Sequence, residues 1–537
     1  MNLSLGASPC IRSRSWAVVA VLWLGACTTQ PSTTSNAPLQ PEIATGFTRK
    51  ADVVSQKFAV AAANPLATQA GFNVLKAGGS AVDAAIAVQM VLSLVEPQSS
   101  GIGGGAFLLH SAASGGARAS AKVQAFDGRE TAPAAATEDM LLNADGKPLA
   151  FHEAVVGGRS VGTPGVLRML AQAHAQHGKL PWAKLFGPAI ALANKGFPIS
   201  PRLHAQLKAD AYLRLDPTAR AYFYQANGEP HAIGHVLRNP ELAAVLQRIA
   251  AEGVQAFYSG EVAEAVVRKV QQHPSNPGRL ALTDLTNYQA KERTPVCFDH
   301  AALSRVYRVC GFPPPSSGAI AIGQILGMLQ HTPASLMSSP ADLADGAPDP
   351  RWLHLYTEAS RLAFADRALY VADPDFAPAP SGDWQSLLAP AYLRERAKLI
   401  RPTAMPQALP GVPVRGQRSS FAPMADQPEY GTSHISIVDG QGNALAMTTT
   451  IEDAFGSRQM VKGFLLNNEL TDFSFAPRDA QGRLVANRVQ PNKRPRSSMS
   501  PTLVFDKATG QLVMSVGSPG GAMIIHFTAK TLVGVLN

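Results

Sequence analysis

The run Gly431-Thr432-Ser433-His434-Ile435-Ser436-Ile437-Val438-Asp439 sets a threonine at the head of a strand-like segment, directly after a glycine. A threonine hydroxyl is a poor nucleophile until a base takes its proton. A threonine that begins a chain carries that base itself: a free α-amino group, pKa roughly 7.7–8.0, suits proton transfer near neutrality. The chemistry is acyl transfer, and it requires the bond between Gly431 and Thr432 to be cut. Ser433-His434 offers a competing serine–histidine pair, but neighbouring side chains on a strand face opposite ways and cannot meet across the pleat. Thr432 and His434 do share a face; a histidine there is more often packed and hydrogen-bonded than a base, and His434 is read as structural.

The elements around this residue must hold it still. From Thr432 the period is two: Ser433 to Val438 alternates, Asp439-Gly440-Gln441-Gly442-Asn443 is a turn, and Ala444 to Ile451 returns as a second strand. Upstream, Pro402 to Tyr430 is rich in proline and glycine with little periodicity, which predicts an exposed, mobile approach to the bond. Near the other end, Asn64-Pro65 starts a helix that stops at Gly78. Ser80 and Asp83 form a capping-box-like start to a second, Ala81 to Val95, apolar nearly all round and so expected to be buried. Gly101-Ile102-Gly103-Gly104-Gly105-Ala106 satisfies the dinucleotide pattern G-x-G-x-x-A, but it follows a helix and precedes the strand-like Phe107-Leu108-Leu109. That order is the reverse of strand-turn-helix, so the run is read as a tight turn. Further helices are predicted from Pro240 to about Ala251, Gly260 to Gln272 and Trp352 to Tyr370, with a rigid loop at Pro313 to Gly318.

The 537 residues favour more than one domain or one large α/β body, and a net charge of +9 spread along the chain indicates no nucleic-acid partner by itself. Arg12 and Arg14 precede a short apolar run, Trp16 to Leu24, that ends in Leu24-Gly25-Ala26-Cys27. It is too short to span a bilayer and resembles a bacterial lipoprotein signal, with Cys27 as the lipidated first residue of the mature chain. Thr28 after the cysteine implies sorting to the outer membrane, facing the periplasm; the polar stretch that follows, to about residue 45, reads as a tether. Cys297 and Cys310 remain in the folded part, either as a disulfide favoured by export or as two buried thiols. No zinc-spaced cysteine–histidine cluster is present in the sequence.

Several motifs occur in order: Glu96-Pro97 with the glycine run, Arg129-Glu130, Pro313 to Gly318, Ala363-Asp366-Arg367, Gly431-Thr432-Ser433-His434, Thr448-Thr449-Thr450, Asn467 to Ser474, Pro491 to Pro501 and Gly517-Ser518-Pro519-Gly520-Gly521. From about residue 55 to the end, this set resembles the γ-glutamyltranspeptidase family. The resemblance implies an N-terminal nucleophile hydrolase fold, α+β, an αββα four-layer sandwich with additional helices in the large piece. It implies a precursor that cleaves itself, dividing the chain into signal (1–26), tether (27–50), large subunit (51–431) and small subunit (432–537), and no cofactor.

The same resemblance assigns roles. Thr432 Oγ is the nucleophile toward the γ-carbonyl of glutathione or a related γ-glutamyl amide, and the acyl group passes to water or to an amino acid or peptide. Thr450 is expected to hydrogen-bond Thr432, and the N–H groups of Gly520 and Gly521 to meet the oxyanion. Arg129, with Ser497 and Ser498, would clamp the substrate's α-carboxylate, and Glu452, Glu469 and Asp472 would surround its α-ammonium. Glu452 replaces a frequent asparagine and Arg496 a usual leucine, while Phe473 to Gln490 stands in the place of the lid without its aromatic residue. Only Ala522 to Asn537 follow the glycine pair, where family members continue, so the small subunit reads as shortened. The competing readings are a cephalosporin (glutaryl) acylase of the same fold and a lipid-anchored remnant without activity.

Overall fold

The computed structural model describes residues 51–113, 122–336, 349–413 and 418–536. The predicted signal, Cys27 and the tether lie outside them. Asn64 accepts a hydrogen bond from the Leu66 N–H and starts the helix Pro65–Lys76. Ser80 and Asp83 close the predicted capping box, with Asp83 Oδ2 accepting from the Ser80 N–H at 2.9 Å and Ser80 Oγ from the Asp83 N–H at 3.1 Å. The helix they start, Ala81–Val95, is buried at every position, as its continuous apolar sequence requires.

That helix packs on an antiparallel sheet of six strands, in the order Ala59–Ala62, Ser433–Val438, Ala444–Thr450, Gly105–Ser111, Val123–Gly128, Lys291–Arg293. A second antiparallel sheet runs Leu512–Val516, Thr502–Asp506, Arg305–Gly311, Val296–Ala302. Phe107, Leu109, Phe312, Ala446 and Leu503 fill a common core between the sheets, and the Phe107 and Phe312 rings stack 4.1 Å apart. Helices Gly318–Leu329, Pro350–Tyr370 and Met523–Leu536 cover the outer face of the second sheet through Ile325, Leu362 and Ile525. The layers are helix, sheet, sheet, helix, the expected four-layer sandwich. Additional helices, among them Val166–His177, Pro240–Glu252 and Gly260–Gln271, extend the core on the side of Ala81–Val95.

The hairpin forms as its alternation predicts. Asp439 binds the turn through the N–H groups of Gln441 and Asn443, and its other oxygen accepts from the Ala81 N–H at 3.1 Å. One carboxylate thereby ties the strand after Thr432 to the start of the buried helix. The return strand ends at Thr450, one residue early, because Thr450 Oγ takes the N–H of Glu452 at 2.8 Å and the chain turns away at φ +75°. The glycine run is a turn into the strand Gly105–Ser111; a Cβ on Gly104 would lie 2.1 Å from the Thr450 carbonyl oxygen, so only glycine fits.

One open reading is decided and one expectation changes. Cys297 and Cys310 face each other on neighbouring strands and form a disulfide, which decides between the two readings. The approach to the bond is not exposed throughout: Ala422 and Met424 are buried between exposed neighbours such as Pro423 and Ala425, Glu429 is buried, and Thr432 is 2 % exposed. Its backbone is pinned to the body, Ala422 N–H to the Leu484 carbonyl at 2.8 Å and Met424 N–H to that of Ala368 at 2.9 Å. A run without periodicity can still be anchored by such long-range backbone bonds.

Candidate active site

Register brings the two threonines together. Ser433 pairs with Thr449 and His434 with Thr448, so the next step sets Thr450 opposite Thr432. Gly431 and Thr432 are joined by their peptide bond, and this is the uncut form. Thr432 Oγ donates to the Gly431 carbonyl oxygen, and Thr450 Oγ donates to the same oxygen at 2.7 Å. Thr450 was expected to bind Thr432 directly. In the uncut chain the Gly431 carbonyl lies between the hydroxyls and, with two lone pairs, accepts from both. His434 shares hydrogen bonds with Thr448 Oγ (2.9 Å) and Ser436 Oγ (3.0 Å), and burial pulls its imidazole down to about 3. It is a neutral cross-strand partner.

Thr432, Thr450, Arg129, Glu452, Glu469, Asp472, Ser497, Ser498 and Gly521 line one cavity of about 20 Å³; Gly520, the other predicted oxyanion donor, does not line it. A larger cavity, about 760 Å³ and lined by Tyr212, Asp216, Lys269 and Met460, holds none of these residues. The small one is already filled by its own side chains. Arg129, 1 % exposed, sends Nη1 to Glu469 and Nη2 to Asp472, while Nη2 also reaches the Arg496 carbonyl (2.7 Å) and Nε that of Pro495 (3.2 Å). The group expected to hold a carboxylate is thus paired with two groups expected to hold an ammonium.

The acids outnumber that cation. Burial, opposed by Arg129, pushes Asp472 up to about 7, and burial likewise raises Glu469. Burial, then repulsion from Asp472, Asp453 and Glu469, raises Glu452 well above the usual carboxylate range. Groups so perturbed gain from an added positive charge, and an α-ammonium supplies one. Among the described residues, no three His, Cys, Asp or Glu are grouped to hold a metal ion.

The family model for γ-glutamyltranspeptidase matches residues 67–537. The chain belongs to the γ-glutamyltranspeptidase family. The glutathione hydrolase proenzyme of Bacillus subtilis (strain 168) is 39% identical over 487 residues, which cover 88% of this chain and 76% of the relative. That of Escherichia coli (strain K12) is 35% identical over 529 residues, 97% of this chain and 84% of the relative. Among solved structures, the cephalosporin acylase from Bacillus halodurans matches with a TM-score of 0.69 at 27% identity, over 90% of this chain and 81% of its own.

Nothing in the sequence singled out Glu429, and Arg367 stood in a motif without a role. Glu429 is buried at the cavity wall, with Oε1 2.7 Å from Arg367 Nη2 and Oε2 accepting from Ser498 Oγ. Its one signal in sequence is its place three residues before Thr432. Ser497 Oγ accepts the Met499 N–H at 3.1 Å. Gly521 sits at φ +54°, where a Cβ would fall 1.8 Å from the Glu429 carbonyl oxygen. The stretch expected in the lid position is held by Asn487, whose amide donates to the Asp472 carbonyl at 2.7 Å, and by Arg488 on Glu138 at 2.9 Å.

Proposed function

We propose that this enzyme is a glutathione hydrolase and γ-glutamyl transferase that matures by cutting its own chain between Gly431 and Thr432. The observation that carries the reading is the single cavity in which a glycine–threonine bond, two hydroxyls on its carbonyl, and a buried arginine–carboxylate cluster meet. In the first reaction Thr432 Oγ attacks the Gly431 carbonyl carbon, and its proton passes to the departing Thr432 nitrogen. The oxyanion keeps the hydrogen bond from Thr450, and collapse breaks the C–N bond, leaving an ester to Thr432 and a free amine. Water then releases the large subunit. Thr450→Val, which keeps the shape but not the donor, is expected to slow this cut by about 10²–10³-fold, followed as loss of the full-length band with time.

In the second reaction the freed amine takes the proton from Thr432 Oγ as it attacks the γ-carbonyl of the donor. The amine of the donor leaves, and water or an amino acid or peptide amine takes the γ-glutamyl group from Thr432. Gly520 and Gly521 N–H groups would meet the oxyanion. Arg129, Ser497 and Ser498 would receive the α-carboxylate, and Glu452, Glu469 and Asp472 the α-ammonium. Cys27 would carry the lipid that anchors the large subunit to the outer membrane, facing the periplasm.

A glutaryl acylase is the second reading, favoured by the likeness to the Bacillus halodurans acylase. Glutaryl amides lack the α-ammonium that three buried acids suit. The cut enzyme is expected to hydrolyse γ-glutamyl-p-nitroanilide with kcat/KM at least about tenfold above that for glutaryl-p-nitroanilide, the worth of one charge-assisted contact. Equal or reversed preference would reject the γ-glutamyl reading.

A further inference from the structure

Beside the Arg129 cluster lies a second cationic group. Arg367, on the helix Pro350–Tyr370, sends Nη2 to Glu429 Oε1 (2.7 Å) and to Ser498 Oγ (2.6 Å), and Nε to Ser317 Oγ (2.9 Å). Ser498 Oγ donates to the other Glu429 oxygen. Arg496 Nη2 stands 3.8 Å from Glu429 Oε1, and Arg496 Nη1 is buried without a hydrogen-bond partner. Two guanidiniums and a hydroxyl converge on one carboxylate. Burial and the neighbouring Arg367 pull Arg496 down to about 9, against attraction from Glu429, Asp472 and Asp426. Without Glu429, two like charges would face each other in a dry place, a costly arrangement.

In the uncut chain Glu429 is held here by these side-chain bonds and by its covalent link to Thr432. It lies three residues before the bond proposed for cutting, and after the cut Gly431 is a free end that no longer ties it to Thr432. We propose that Arg367, Arg496 and Ser498 form a carboxylate seat that Glu429 fills in the uncut chain and that a carboxylate of the γ-glutamyl compound fills after the cut. The proposal rests on the γ-glutamyl reading of the site. Glu429 is then a tethered competitor, present at high effective concentration until self-cleavage releases it. Arg496 makes the seat doubly cationic.

The test uses L-glutamate as the probe, titrated calorimetrically into uncut Thr432→Ala chains with Glu429 intact, replaced by Gln, or replaced by Ala. Both replacements are expected to tighten binding at least about tenfold, and adding Arg496→Leu to remove the gain. Equal affinity in the three chains, or a gain that survives Arg496→Leu, overturns the seat. The isosteric Gln keeps the packing if the Ala chain fails to fold. In the cut enzyme Arg496→Leu is expected to raise KM for γ-glutamyl-p-nitroanilide about tenfold, with Arg496→Lys recovering part of the loss. A loss confined to kcat overturns the seat. Glutamate binding to uncut chains needs no catalysis, so failure of the seat is distinguishable from failure of the γ-glutamyl reading, which shows as a cut enzyme inert toward γ-glutamyl-p-nitroanilide.

Discussion

The Thr432→Ala chain is expected to stay a single polypeptide and to lose γ-glutamyl turnover by at least about 10⁴-fold, the scale on which removing a nucleophile acts. One oxygen serves both reactions: Thr432 Oγ lies against the Gly431 carbonyl in the uncut chain and would carry the acyl group after the cut. Removing it leaves Thr450 on the same carbonyl, polarising a bond that nothing attacks. Gel electrophoresis and initial rates read the two losses separately. Two fragments from the alanine chain would mean that another protease makes the cut. Thr432→Ser retains a hydroxyl and should still mature.

Arg129→Ala is expected to destabilise the uncut chain by about 3–5 kcal/mol, because it strands buried Glu469 and Asp472 without their cation. Its two carbonyl partners, Pro495 and Arg496, also lose their donors. In the cut enzyme the same change should raise KM for γ-glutamyl-p-nitroanilide strongly. Urea unfolding in the Thr432→Ala background measures the first effect, and steady-state kinetics the second. An unchanged KM would remove Arg129 from substrate binding and leave it a structural partner of the two acids. Arg129→Lys keeps the charge but not the fork that reaches both carboxylates, so it should fall between.

Local chemistry was legible in the sequence where its cause was local. Ser80 and Asp83 announced a helix start three residues apart, and the two-residue period after Thr432 announced a hairpin; both are as expected. Sheet order was not legible from periodicity, because Gly105–Ser111 lies beside Ala444–Thr450, and Arg305–Gly311 beside Thr502–Asp506. No short-range signal marks partners so far apart; only the ordered family motifs pointed to the sandwich. The same limit left the disulfide undecided, since Cys297 and Cys310 pair through strand register, and it hid Glu429. A glutamate in a proline- and glycine-rich run reads as solvated until its arginine partners, Arg367 and Arg496, arrive from elsewhere in the chain. The arrangement of Arg129 with Glu469 and Asp472 was also missed: sequence named all three but assigned them to opposite ends of a substrate, whereas in the uncut chain they pair with one another.

Intact-mass and N-terminal analysis of purified wild-type protein, assayed on glutathione in the same preparation, bears most directly on maturation. The expected result is two associated pieces, the smaller beginning at Thr432, with activity rising in proportion to the fraction cut. A folded, unbroken chain that hydrolyses glutathione at full rate would contradict it, since its threonine would have no free amine.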